Sequence, residues 1–404
     1  MENNEQTVNP HVASAKTKFN YDILVDQFGL NLIDTTLLSK LENISKGQIH
    51  HYIRRNIFYA HQDFDKILEA KATGKEVYIY TGRGPSAESM HLGHFVPMLF
   101  TVWLQKILDC YVVIEMSDEE KFYFKNGSLE DFINYTEGNA KDIIACGFNP
   151  EKTFIFSSFK YERFMRPLVA QLNKKISVDL ANKIYGFNDH NNIGQLQWGA
   201  YEMAPAMCGA FPHLFGNRKD VMCLVPCAVD QAPYFRSLRD YAVSLGYPKP
   251  ALICSKFLVG LKGISEKAST TGVIQPIFLS DSNDVVTNKI KKYAFSGGGE
   301  TLKEHREKGA NLEVDVPYIY LCHFLEDDNE LNDIAKLYSS GQMLTSEIKK
   351  KVIHVINTKL KKHQDEIKTL SKEKYDHFFT MYVQPHAKSY FDYYCEKYIN
   401  IKIV

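Results

Sequence analysis

The sequence predicts a doubly wound α/β domain on a parallel sheet, followed by an all-helical domain. Three observations carry this. Apolar, strand-like runs at 76–82, 111–118, 153–158, 221–231 and 251–257 alternate with amphipathic helical stretches, the pattern of strands covered on both faces. From about Val286 such runs disappear and helical spacing continues to the end. The chain has 404 residues, more than the roughly 250–300 that one core sustains.

In order along the chain, residues 1–18 read as a polar, flexible arm, and 21–70 as helices, one starting at Asp34-Thr35-Thr36 with Leu37, Leu38 and Leu41 along a face. The segment EVYIYTG from Glu76 reads as a strand ending in a glycine turn. Helices follow at about Met90–Leu108 and around Phe132–Ile144, and again at about 232–245. The expected division is an arm over 1–18, an α/β domain over 19–285 and a helical domain over 286–404. Ligands of such sheets bind at the carboxyl ends of the strands.

Composition sets the class. Hydrophobic residues make up 45% and charged residues 24%, which excludes wholesale disorder. Lys+Arg and Asp+Glu are each 48, so a bulk basic coat for nucleic acid is excluded and a local basic patch is not. No apolar run approaches a membrane span, and the acidic, polar start resembles neither a secretory signal nor a transit peptide, so a cytoplasmic location is expected. The eight cysteines are scattered and read as reduced core residues.

The sharpest signal is Tyr80-Thr81-Gly82-Arg83-Gly84-Pro85 followed by His91-Leu92-Gly93-His94. A strand end, a glycine loop and a helix start stand in that order. Gly82 and Gly84 let backbone N–H groups approach phosphate oxygens, and the helix start adds partial positive charge. Gly93 clears space for a ring, and His91 and His94, three apart, project from one face and can donate to phosphate. A strand–loop–helix with glycines is commonplace; the composite string is not.

That string, YTGRGPSAESMHLGH, resembles the class I aminoacyl-tRNA synthetases, and in particular the eukaryotic cytosolic tryptophanyl branch. The resemblance extends through HHYIRRNIFYAHQDF, NAKDIIACGF, VPCAVDQAPYFR, GYPKPAL, AFSGG, VDVPYIYL and FLEDD. It implies a Rossmann-like catalytic domain, a helical tRNA-binding domain, and a homodimer formed through about 135–215. It implies activation of an amino acid by ATP with Mg²⁺, and no tightly bound metal, then transfer to tRNA. Thr81, Gly82, Arg83, Gly84, His91, Gly93 and His94 would hold ATP. The second motif of the family matches Lys267-Ala268-Ser269-Thr270-Thr271, followed by Gly272-Val273. Lys267 keeps the charge for pyrophosphate and Ser269 is retained; Ala268 stands for a methionine anchor, and Gly272 loosens the loop.

The amino-acid pocket implied by the resemblance comprises Tyr80, Glu115, Glu120, Glu202 and Gln231. Glu115 and Glu202 stand where the family has glutamines. Glutamine donates and accepts, whereas an ionised glutamate only accepts. Three carboxylates together raise a pKa and hold a proton, favour a more cationic ligand, or turn away to solvent or a cation. At the start, Val8-Asn9-Pro10-His11 replaces Val-Asp-Pro-Trp of a segment that covers the family's site. After AFSGG the usual arginine is Gly299, with Glu300 next. Lys349, Lys350, Lys351, Lys359, Lys361 and Lys362 either track phosphates or are simply solvated. The expected activity is tryptophan activation and transfer to tRNA. The alternatives are a paralogue with altered amino-acid choice, or a pseudo-enzyme that binds RNA or protein.

Overall fold

The computed structural model describes residues 6–9, 13–269 and 274–399. His11 and the loop positions Thr270, Thr271, Gly272 and Val273 lie outside the described residues.

Among the described residues eleven strands form two sheets: β1 Gln6–Val8, β2 Ala13–Ala15, β3 Asn31–Leu32, β4 Phe58–Gln62, β5 Val77–Arg83, β6 Tyr111–Met116, β7 Thr153–Ser157, β8 Met222–Ala228, β9 Ala251–Ser255, β10 Val259–Gly260 and β11 Gly263–Lys267. The large sheet has the order β3-β4-β9-β8-β5-β6-β7. Its five strands β9-β8-β5-β6-β7 are parallel, with β5 central to the two halves. The five apolar runs of the sequence are these five strands. The strand order reverses beside β5, and the crevice opens at the carboxyl ends there.

Two differences from the sequence reading stand out. The stretch 21–70 is helical at Tyr21–Phe28, Thr35–Ser45, His51–Arg54 and Phe64–Ala72, but it also contributes β3 and β4. These add antiparallel to β9 and close that edge. The arm carries β1 and β2, an antiparallel pair with Gln6 opposite Ala15, and Ser14 pairs with Glu266 on β11. Three-residue strands leave no periodicity to read, and the β11 partner of β2 lies some 250 positions away.

Beyond β11 the described residues hold helices and no strand, including Asn283–Tyr293, Val316–Phe324, Asp328–Ser339 and Thr345–Lys368. Apolar side chains of one sheet face, such as Ile79 and Ile114, belong to the same buried cluster as Val286, Ile290, Val352 and Leu360. The other face packs with Trp198, Phe211 and Phe235. All eight cysteines are free thiols, six of them buried and two partly so.

The helix Leu129–Ile144 packs against the loop between β5 and the helix Leu92–Leu108. Gly138 allows this: a Cβ there would lie 2.1 Å from the Glu88 carbonyl oxygen, a backbone atom that cannot swing aside. Gly138→Ala is therefore expected to cost about 1–3 kcal/mol, the range for forcing atoms into a packed contact. A thermal or urea melt checks it; an unchanged midpoint would show that the loop yields freely.

Candidate functional site

A cavity of about 300 Å³ opens at the carboxyl ends of β5 and β8. It brings together Tyr80, Thr81, Gly82, Arg83, Gly84, His91, Gly93, His94, Glu120, Glu202, Gln231 and Lys267. Residues as far apart in sequence as Tyr80 and Lys267 thus share one wall, as the motifs require.

His91 caps the helix Leu92–Leu108: its Nδ1 accepts from the Gly93 N–H at 3.1 Å, and His94 Nδ1 accepts from the His91 N–H at 3.5 Å. With both Nδ1 atoms used as acceptors, each ring's N–H is at Nε2. The rings lie 3.7 Å apart. Burial, then the charge of Arg83, pushes His91 down to about 3, and the same causes hold His94 well below the ordinary histidine value. Both are neutral donors at physiological pH. Gly93 is required, since a Cβ would come within 2.9 Å of the His91 ring and 3.5 Å of Ala268 Cβ. Ala268 of the second motif thus lies against the glycine of the first. Leu92 N–H donates to Ile277 O at 3.0 Å and Leu279 N–H to Met90 O at 2.8 Å, stitching the first motif to the segment that follows the second.

Arg83 is buried and burial lowers its pKa to about 10, which leaves it cationic at neutral pH. Its Nε donates to Asn139 Oδ1 at 2.9 Å and Nη1 to Gly84 O, while Nη2 is buried with no partner among the described residues. Gly84 lies under Glu120 and Lys121, where a Cβ would be 2.3 Å from Lys121 Cε. At Gly82 a Cβ would make only ordinary contacts of 3.7 Å or more, so crowding does not demand glycine there. Lys267, at the end of β11, pairs with Asp230 at 2.6 Å. The cavity wall continues to Ala268, with Ser269 next in sequence.

Glu115 differs from the expectation of a lining residue. It is fully buried beneath Tyr80, whose hydroxyl it contacts, and it accepts from Ser158 Oγ at 2.9 Å. It turns neither to solvent nor to a cation. Burial, then the nearby Glu202, raises its pKa well above the carboxylate range. A protonated Glu115 donates to Tyr80 Oη, which in turn reaches the Glu202 carbonyl oxygen at 3.2 Å, and each hydrogen then has one acceptor. Glu202 lines the cavity; burial, then Glu120, raises it to about 8. Glu120 pairs with Lys121 at 2.8 Å. Of the three outcomes open to the carboxylates, the structure favours proton retention.

Sequence reasoning passed over Asp230, Lys121, Trp198, Asn139 and Asp142. The first three line the cavity. Asn139 and Asp142 support it from behind: Asn139 Nδ2 donates to Ala87 O at 2.7 Å, and Asp142 Oδ2 accepts from Met90 N–H at 2.7 Å and Ser89 Oγ at 2.9 Å. Their spacing on the helix Leu129–Ile144, with Gly138 beside them, was visible in NAKD; the facing loop was not. Among the described residues no group of three or more His, Cys, Asp or Glu is placed to hold a metal ion, and no helix is long and apolar enough to cross a membrane.

The family model of tRNA synthetases class I (W and Y) matches residues 71–361. The cytoplasmic tryptophan–tRNA ligase of Arabidopsis thaliana is 44% identical over 384 residues, covering 94% of this chain and 95% of that protein. That of Mus musculus is 44% identical over 371 residues, covering 91% of this chain and 77% of that protein. Among solved structures, the tryptophanyl-tRNA synthetase of Plasmodium falciparum matches with a TM-score of 0.85 at 42% identity, over 91% of this chain and 99% of that one.

The pH dependence of stability follows from the two glutamates. Their folded pKa values lie above the unfolded value of about 4.3, so the native state holds protons the unfolded state releases. Stability should fall as pH rises from about 4.3 toward the folded values, about 8 for Glu202. Glu115→Gln with Glu202→Gln should melt above wild type at pH 8, the gap closing toward pH 5. Parallel melting curves across the two proteins would place the carboxylates in water.

Proposed function

The chain belongs to the tRNA synthetases class I of the W and Y family, and from that premise we propose that it activates tryptophan with ATP and transfers it to tRNA. The observation that carries this reading is the convergence of His91, His94, Arg83 and Lys267 on the cavity that also holds Tyr80, Glu120 and Gln231. Likeness to tryptophan–tRNA ligases over most of both chains does not favour the altered-substrate or binding-only alternatives.

In this reading ATP lies along the loop from Thr81 to Gly84 and over Gly93. The orphaned Arg83 Nη2 fits a phosphate oxygen, since an unpaired buried donor otherwise costs about 1–3 kcal/mol. His91 and His94 donate Nε2–H to phosphate without adding charge. Lys267 and Ser269 face the pyrophosphate. The tryptophan carboxylate attacks the α-phosphate in line, forming the aminoacyl-adenylate as the bond to the bridging oxygen breaks and pyrophosphate leaves; no covalent enzyme intermediate forms, so positioning and charge stabilisation supply the rate. Tyr80, backed by the protonated Glu115, meets the indole. Glu120, Glu202 and Gln231 surround the ammonium group. A protonated Glu202 offers one donor and one acceptor, as a glutamine does. Mg²⁺ bound with ATP would supply charge neutralisation beside Arg83 and Lys267. The relatives' names support work in the cytoplasm.

ATP–pyrophosphate exchange across all twenty amino acids tests the reading, with tryptophan expected to be preferred. Lys267→Gln keeps a hydrogen bond to Asp230 and removes the charge; exchange should fall about 10²–10³-fold. Exchange supported by no amino acid would overturn the proposal.

We also infer a homodimer. Phe122 is 42% exposed, Phe159 49% and Ile193 81%. The elements that carry them are in contact: Phe159 N–H donates to Asp118 Oδ1 at 3.3 Å, in the helix of Phe122, and Gln195 Nε2, on the helix that Ile193 begins, donates to Tyr123 O at 2.8 Å. Such an apolar patch within 118–193 suits an interface between copies. Light scattering should give a dimer at micromolar concentration, and Phe159→Asp with Ile193→Asp a monomer. A wild-type monomer would contradict this.

A further inference from the structure

The residue before His91 is gripped from both sides. Met90 is wholly buried. Its N–H donates to Asp142 Oδ2 at 2.7 Å, and its carbonyl oxygen accepts from the Leu279 N–H at 2.8 Å. Both grips lead back to two adjacent residues of the helix Thr345–Lys368. His363 Nε2 donates to Asp142 Oδ1 at 3.1 Å, and both side chains are almost wholly buried. Gln364 Nε2 donates to the Leu279 carbonyl oxygen at 2.7 Å and to that of Asp281 at 3.1 Å. Neighbouring helical residues point about 100° apart, so one turn reaches the loop before His91 and the segment after the second motif at once. The His363 ring also stands edge-on to Phe95, at 5.1 Å between centroids, on the helix that His91 caps. Neither His363 nor Gln364 lines the cavity.

We propose that His363 and Gln364 are positioning residues for ATP, acting through Asp142 and Leu279 on the peptide that leads into His91. The rings of His91 and His94 take their orientation from the backbone of this turn, since His91 Nδ1 accepts from the Gly93 N–H and His94 Nδ1 from the His91 N–H. A tilt of the Met90–His91 peptide therefore turns both Nε2–H donors away from the phosphates. Without His363, a buried carboxylate loses one of its three donors and is drawn off Met90 to satisfy the freed oxygen. The groups set around tryptophan stand elsewhere: Glu120 on the helix Asp118–Phe124, Glu202 on the helix Ile193–Met203 and Gln231 just beyond β8. The loss thus falls on ATP and spares the amino acid. The proposal rests on the nucleotide reading of the cavity above.

The test uses the full-length protein. Calorimetry with ATP and Mg²⁺ reads affinity without turnover, and ATP–pyrophosphate exchange with tryptophan gives the two KM values. His363→Ala should weaken ATP binding and raise KM for ATP about 10-fold, with KM for tryptophan within about twofold of wild type. His363→Gln, whose amide still donates to Asp142, should return ATP affinity to within about threefold of wild type. Gln364→Ala should raise KM for ATP about threefold and leave that for tryptophan unchanged. A merely structural role would lower the melting midpoint and move both KM values together or neither. Equal changes for ATP and tryptophan, unchanged ATP affinity in His363→Ala, or a His363→Gln as weak as His363→Ala would overturn the proposal. Should His363→Ala fail to fold, the ratio of the two KM values in Gln364→Ala decides in the same way. A wild type that binds ATP but exchanges with no amino acid would overturn the charging function and leave the positioning role to the calorimetric comparison.

Discussion

One buried carboxylate ties the site to the rest of the molecule. Asp142 accepts from the Ser89 hydroxyl and the Met90 N–H through Oδ2, and from His363 Nε2 at 3.1 Å through Oδ1. Both side chains are almost wholly buried. A carboxylate so placed is tolerated only when its lone pairs are met. The three donors come from the loop that leads into His91 and from the long C-terminal helix. Arg83 depends on the next turn of the same support, through Asn139. The glycine loop has no ladder of its own between β5 and His91, so its course is set by what the helix Leu129–Ile144 offers: a missing side chain at Gly138, an amide at Asn139 and the carboxylate at Asp142. Small changes in that helix would move both phosphate-facing residues and the cap of the next helix.

The other half of the cavity obeys a different constraint. Glu115, Glu120 and Glu202 are too close and too enclosed to be charged together. Glu120 has Lys121 beside it, and among the described residues neither Glu115 nor Glu202 makes an ion pair. Proton retention on Glu115 and Glu202 lets each do what a glutamine would, at the cost of a dependence on pH that glutamine does not have. The substitution therefore preserves hydrogen-bond character near neutrality and changes the conditions under which it holds.

The parallel sheet was legible because strands buried on both faces are apolar throughout and bounded by helices. The first motif was legible because its residues are contiguous. What escaped the sequence depends on partners distant along the chain. Phe58–Gln62 lies among helices and becomes a strand only because β9 offers it an edge. The arm forms strands against β11, and so steadies the element that delivers Lys267. Glu115 aligns with a pocket residue but is sunk under Tyr80, because β6 aims it at Ser158. Asp230 adjoins Gln231, yet its pairing with Lys267 follows from the approach of β11 to the end of β8. Asn139 and Asp142 stood within a recognisable string, without any local sign of the loop they hold.

The long helix Thr345–Lys368 brings these themes together. At 24 residues it spans about 36 Å. Its lysines toward Glu326 and Glu330 fasten it to the helix Asp328–Ser339 and the turn before it, and His363 near its end fastens it to Asp142. Val352, Ile356 and Leu360 place its apolar stripe in the core shared with the sheet. A helix so bound on three sides is anchored to the loop that leads into His91.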